Sequence, residues 1–265
     1  MPISDIRDLS LSDLANALLE QPEALRGLIP PMPPDEVQIN WTGSAGSVLM
    51  AQTVSFAQML ESDYLRLAGA PLADKVILDY GCGWGRHLRM MRRLSDKLYG
   101  CDPWDRSIEL CEQYGVDARL AISDYVPRSL PFPEVKFDLI YAFSVFTHLS
   151  EKTAKTVLAS FATALGPGGL VVLTVRPETY WAYHSQAQSK VDVQKMEDDH
   201  SARGFAFTPH DRSPIDGDIT YGDTSISLEY VRVHWPDWTV VHSELIPNDP
   251  FQRVVWLRPA PRAAK

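Results

Sequence analysis

Val76-Ile77-Leu78-Asp79-Tyr80-Gly81-Cys82-Gly83-Trp84-Gly85-Arg86 is the stretch that decides the fold of this chain. An apolar run of strand length ends in an aspartate, passes three glycines at alternate positions and leads into a helical pattern. Such a run reads as a buried parallel strand. The glycines let the backbone turn sharply and pass close to a ligand before a helix begins. Asp102, 21 residues beyond Gly81, ends a second apolar run, Lys97-Leu98-Tyr99-Gly100-Cys101-Asp102. A carboxylate at that place accepts both hydroxyls of a ribose. The pattern predicts a nucleoside-containing cofactor.

Two nucleotide fingerprints fail on the same residues. The dinucleotide motif needs a third glycine five positions after the first, so that helix and strand pack closely, and that position is Arg86. A phosphate-cradling loop needs Gly-Lys-Ser/Thr, which is also missing. By contrast, Leu78-Asp79-Tyr80-Gly81-Cys82-Gly83-Trp84-Gly85 resembles the glycine motif of class I S-adenosylmethionine-dependent methyltransferases. Phe137-Asp138-Leu139-Ile140-Tyr141-Ala142 resembles that family's fourth strand, and Leu165-Gly166-Pro167-Gly168-Gly169-Leu170 the turn into its fifth. The resemblance covers roughly positions 70 to 176, with a weaker echo in the final 40 residues. It implies S-adenosyl-L-methionine as cofactor and an α/β fold: a Rossmann-like, doubly wound, seven-stranded sheet with the last strand antiparallel.

At 265 residues the chain accommodates one α/β domain with added substrate-binding segments. We expect an N-terminal helical lid or cap over 1–70 and a methyltransferase domain over 71–265, with an acceptor-binding insertion at 177–227 between strands five and six. A formal net charge of −9 argues against a generic nucleic-acid binder, since phosphate contacts need clustered Lys and Arg. The basic run Arg86-His87-Leu88-Arg89 with Arg92-Arg93 reads as a solvated helix face. Cys82, Cys101 and Cys111 lack Cys-x-x-Cys spacing and suit packing in a reducing cytoplasm. No signal peptide or membrane-spanning run is expected, and a homo-oligomer stays open.

Helical spacing of Leu11, Leu14, Ala15, Leu18 and Leu19 predicts a first helix, capped by Ser10 or Ser12 and stopping near Gly27. Ile29-Pro30-Pro31-Met32-Pro33-Pro34 reads as a stiff connector. A second helix is expected over about 47–67, with Val48, Phe56, Met59, Leu60 and Tyr64 facing inward. Strands are expected at 75–80, 97–101, 117–122, 137–142 and 170–175, with helices near 85–94, 105–114 and 151–165, the last capped by Ser150. A short helix over 228–234 and strands at 238–244 and 253–258 complete the pattern. The segment from Pro177 to Ser227 is too aromatic for a solvated linker and reads as a substrate cover, partly helical around 181–202.

The family resemblance implies roles residue by residue. Gly81 and Gly83, with Cys82 between them, pass against the cofactor's amino-acid and ribose portion, and Asp79 engages its ammonium end. Asp102, followed by Pro103, takes the ribose hydroxyls. Asp124 reads the adenine amino group with Ser123 alongside, while Ala142 and Phe143 line the cofactor from the fourth strand. The expected acceptor is a small molecule or glycan, methylated on a hydroxyl oxygen. Nitrogen methylation and a catalytically silent cofactor-binding protein are the alternatives. An oxygen nucleophile gains from a general base, and His148, just past the fourth strand, is one candidate. His210 beside Asp211 is the other. His184 and His200 read as surface histidines, and no metal site is expected from Asp198-Asp199-His200.

Overall fold

A computed structural model of the protein describes residues 5–187 and 191–261. In chain order the elements are α1 (Leu11–Glu20), α2 (Asp35–Thr42), α3 (Gly46–Ala68), β1 (Val76–Tyr80), α4 (Arg86–Met91), β2 (Lys97–Asp102), α5 (Asp105–Gln113), β3 (Arg119–Ile122) and β4 (Phe137–Ala142). There follow α6 (Glu151–Ala164), β5 (Leu165–Val175), α7 (Tyr180–Ala187), α8 (Val193–Arg203), β6 (Phe205–Pro209), β7 (Gly222–Ile226), α9 (Leu228–His234), β8 (Trp238–Ile246) and β9 (Asp249–Pro259). Seven strands form one mixed sheet in the order β3-β2-β1-β4-β5-β9-β8, and β6 with β7 forms a separate two-stranded sheet. β1, β2 and β3 pair in parallel, whereas β9 runs antiparallel to both β5 and β8. This is the Rossmann-like arrangement expected, closed by an antiparallel last strand.

Most boundaries follow local chemistry. Ser10 caps α1 by accepting from the Asp13 N–H, and Ser150 caps α6 by accepting from the Thr153 N–H. α1 stops earlier than expected: Gln21 takes a left-handed conformation (φ 50°) and ends it before the prolines begin. The helix α2 was not foreseen, because its eight residues lack a clear apolar stripe and only Gln38 is buried. In α3 the inward face starts one residue later than expected. Val48 is 72% exposed, while Leu49, Met50, Thr53, Phe56, Ala57 and Leu60 are buried. Within 177–227 the helices α7 and α8 fall where helix was expected, but the β6–β7 pair is an addition, with Phe205 opposite Ile226 and Pro209 opposite Gly222.

The chain divides into two compact units. The first comprises residues up to Asp124 with Lys136–Leu139, and the second Tyr125–Val135 with Ile140 onward. In the first, Leu11, Leu14, Leu18, Leu25, Met50 and Met90 share an apolar core. In the second, Tyr180, Trp181, Met196 and Ala206, all within 177–227, form a smaller one. Among the described residues no helix is long and apolar enough to cross a membrane.

The basic cluster on α4 corrects the reading of a solvated face. Arg86, His87 and Arg89 are all buried. Arg89 donates to the carbonyls of Trp84, Pro31 and Tyr114, and burial lowers its guanidinium to about 10. Arg86 donates to Gln52 Oε1 at 2.5 Å, and the His87 ring lies edge-on to Phe56. The two arginines tie the connector and α3 to the helix behind the glycine loop.

Candidate active site

The candidate cofactor loop is built in the first unit. Leaving β1, the loop is pinned to the end of β2, because the N–H groups of Gly81 and Cys82 both donate to the Cys101 carbonyl at 2.8 and 3.1 Å. Gly81, Gly83 and Gly85 all take positive φ (75°, 53° and 81°), which L side chains rarely adopt. Asp102 clamps the loop: its Oδ2 accepts from the Gly83 N–H and its Oδ1 from the Trp104 N–H, each at 2.9 Å. Burial raises the Asp102 carboxyl, and those two N–H groups partly offset it. A carboxylate fixed in this way keeps lone pairs for a diol while its orientation is set by backbone. Asp79 is buried on β1 opposite Gly100.

The remaining cofactor candidates lie nearby in the chain. Pro103 is half-buried after Asp102, Ser123 is buried with its N–H on the Asp102 carbonyl at 3.1 Å, and Asp124 is exposed. In the second unit, Ala142 and Phe143 are buried at the end of β4. They lead into Ser144, a non-glycine residue at φ 56°, whose N–H donates to Thr174 Oγ1 at 2.7 Å. A left-handed serine held by its surroundings marks stored strain at the strand's end.

The second unit holds a polar cluster that gathers around one carboxylate. Asp223 Oδ1 accepts from Arg176 Nη1 at 2.6 Å and from the Tyr180 hydroxyl at 3.1 Å. Its Oδ2 faces His184 Nε2 at 3.0 Å and His210 Nε2 at 2.8 Å. Burial opposes the charge, but the His210 hydrogen bond and the Arg176 charge hold this carboxyl well below the usual range. Beside it, His148 Nδ1 lies 2.7 Å from the Gly222 carbonyl, so Nδ1 carries the proton. His148 Nε2 then accepts from Arg176 Nη2 at 3.1 Å. Burial, then the Arg176 charge, lower the His148 imidazole to about 3.

These positions have local causes. Arg176 follows β5 directly, and its Nη1 also donates to the Thr147 carbonyl at 2.8 Å. The turn carrying His148 is pinned to β7, since Gly222 N–H donates to the His148 carbonyl and Thr224 N–H to that of Thr147. Tyr221 stacks flat on the His148 ring, 5.0 Å away, and Arg212 lies over Tyr221 at 4.3 Å.

The structure thus brings His148 and His210 around one acid, and that acid is Asp223, not the exposed Asp211. His184 and His200 correct the reading of surface histidines, being 3% and 7% exposed, and His200 Nδ1 lies 2.7 Å from Ser225 Oγ. Asp198 and Asp199 face Gln194 and Lys195 one helical turn away. Sequence reading missed Arg176, Tyr180 and Asp223 as members of the cluster. An arginine directly after the fifth strand, and a carboxylate inside an otherwise uncharged strand, were the available signals.

Residues 77–169 match a family model described as a methyltransferase domain. A ubiquinone biosynthesis O-methyltransferase of Methylobacterium sp. (strain 4-46) is 28% identical over 107 residues, covering 39% of this chain and 42% of the relative. A tRNA U34 carboxymethyltransferase of Cellvibrio japonicus (strain Ueda107) is 34% identical over 112 residues, covering 39% of this chain and 33% of the relative. The matches therefore span less than half the length of these curated relatives. A magnesium protoporphyrin IX methyltransferase from Synechocystis PCC 6803 with bound SAH shares the fold, with a TM-score of 0.53 and 13% identity over 85% of this chain and 94% of that one. The PH0226 protein from Pyrococcus horikoshii OT3 superimposes with a TM-score of 0.55 and 15% identity, covering 78% and 90%. The family match thus runs from β1 into β5, where residues 77–169 are similar to a methyltransferase domain, and the seven-stranded sheet has the fold of those neighbours.

Proposed function

We propose that the protein methylates a hydroxyl oxygen of a small polar acceptor, such as a sugar, glycan or natural product, and that His210 is the general base. The observation that carries this reading is the His210–Asp223 pair: Nε2 sits 2.8 Å from the carboxylate while 37% of the side chain reaches solvent. With the carboxylate accepting the Nε2 proton, Nδ1 is the basic nitrogen, and Asp223 fixes the ring's orientation. His148 suits that task less well, because its lone pair is committed to Arg176. It serves as a prop that orients the guanidinium.

When bound, S-adenosylmethionine supplies an activated methyl group on a sulfonium centre. The chain's part is to bind, align and exclude water. The glycine loop and Asp102 fit the nucleoside: a buried carboxylate held by two backbone N–H groups stands beside a bend with no side chain at its glycines. Tyr183, 53% exposed and stacked on Phe251 at 4.7 Å, offers a flat face to a ring-shaped acceptor. The O-methyltransferase name of one relative supports oxygen as the target. A net charge of −9 favours a small acceptor over tRNA, the substrate in the other relative's name. Three buried free cysteines support a cytoplasmic setting.

The test is label transfer. Protein, cofactor carrying a labelled methyl group and a cell extract are incubated, and the small-molecule fraction is separated. Label should appear there, and His210→Gln should lower its rate about a hundredfold or more while SAH affinity stays unchanged. Cofactor binding without any transfer would favour a silent partner protein and overturn the proposal.

A further inference from the structure

We propose that Trp41, carried on α2, is a positioning residue that latches the cofactor loop, so that α2 acts as a lid over the bound nucleoside. The inference rests on the cofactor assignment and is independent of which residue is the base.

α2 is joined to the rest of its unit by unlike connectors. Before it run Pro30, Pro31, Pro33 and Pro34, which stiffen the approach. After it come Gly43 and Gly46 at φ 76° and 60°, left-handed positions that only glycine adopts freely. Gln38 is the helix's one fully buried residue and Ile39 is 50% exposed, while Val37 and Trp41 pack part-buried against Leu49, Trp84 and Leu110 of the same unit. The Gln38 side chain binds α2's own flanks, donating to the Pro33 carbonyl at 2.8 Å and accepting from the Gly46 N–H at 3.3 Å.

Trp41 reaches from this helix to both halves of the cofactor clamp. Its ring stacks on Trp104 with centroids 4.6 Å apart and planes 10° from parallel. Its Nε1 donates to Ser107 Oγ at 3.1 Å. Its Cδ1 lies 3.4 Å from the place where a Cβ on Gly83 would stand. Gly83 and Trp104 are the two residues whose N–H groups hold the Asp102 carboxylate. One indole therefore covers the bend and braces the residue beside the ribose-binding acid. Trp104 is still 47% exposed, so aromatic surface remains for a nucleoside to bury. A lid of this kind slows escape of the bound molecule and shields the site from water.

Stopped-flow tryptophan fluorescence with SAH measures the dissociation rate. Trp41→Ala should raise that rate at least tenfold, and Trp41→Phe, which keeps a stacking ring, should stay within about threefold of wild type. An unchanged rate in Trp41→Ala overturns the latch. Should that variant fold poorly, hydrogen exchange on the wild-type protein decides: amides 35–42 should gain protection when SAH is added, and no gain overturns the lid. Absence of SAH binding by the wild-type protein would instead defeat the cofactor assignment itself.

Discussion

Asp223 collects four donors on one buried carboxylate, two on each oxygen, and that arrangement sets what each neighbour can do. Arg176 neutralises the acid and at the same time fills the lone pair of His148. Histidine at 148 is thereby kept neutral and engaged, while His210 keeps one nitrogen outside the network. Two outcomes follow at this scale. Asp223→Asn leaves the Arg176 guanidinium buried without a counter-charge, which costs roughly 3–5 kcal/mol; thermal or urea denaturation checks it, and a loss near zero would remove Asp223 from the centre of the cluster. His148→Asn, whose amide can still donate to the Gly222 carbonyl, should leave turnover within about fivefold of wild type, far from the hundredfold or greater loss expected of a missing base. A hundredfold loss would return the base to His148.

At the scale of elements, the glycine bend is where backbone conformation and packing agree. Gly85 lies at φ 81°, and a Cβ there would stand 2.7 Å from Val116 Cγ2 and 3.0 Å from Cys111 Sγ. Gly85→Ala combines left-handed strain with overpacking and should destabilise by about 2–4 kcal/mol, read as a lower midpoint in urea. A neutral result would mean that the bend relaxes easily. The same stretch shows why so much of the fold was legible. Runs such as Val76–Tyr80 and Phe137–Ala142 carry apolar residues on both faces, with a single aspartate in each, and that pattern has few readings other than a central strand. The two-stranded β6–β7 sheet was not legible, because Gly222-Asp223-Thr224-Ser225-Ile226 is polar yet wholly buried, its side chains satisfied by partners distant in sequence. For the same reason the acid beside His210 reads from sequence as Asp211, when the fold supplies Asp223 from the neighbouring strand, and α4's arginines read as solvated because sequence does not show the carbonyls awaiting them.

For the molecule as a whole, the cluster makes stability depend on pH in a definite sense. His148 is lowered from 6.5 to about 3, so below pH 6.5 the unfolded chain takes up a proton that the folded one refuses. Stability therefore falls as the pH drops from 6.5 toward 3, by up to about 2 kcal/mol between pH 6.5 and 5. Solvent reaching 18% of the side chain trims that figure. Asp223, with its carboxyl depressed, adds stability that is present above 3.8 and lost as the pH falls through its lower folded value. Both act in the same direction. Melting temperature should decline from pH 7 to pH 5, and His148→Asn should flatten that decline; an equal slope in the variant would contradict the assignment. The cofactor site remains the claim beneath all others, and calorimetric titration of SAH and of a nicotinamide dinucleotide into wild type and Asp102→Ala tests it most directly. The expected result is saturable SAH binding, weakened at least tenfold in the variant by the loss of charged hydrogen bonds of about 1.5–3 kcal/mol each, and no binding of the dinucleotide. SAH binding that ignores Asp102, or a dinucleotide that binds in its place, would contradict the account.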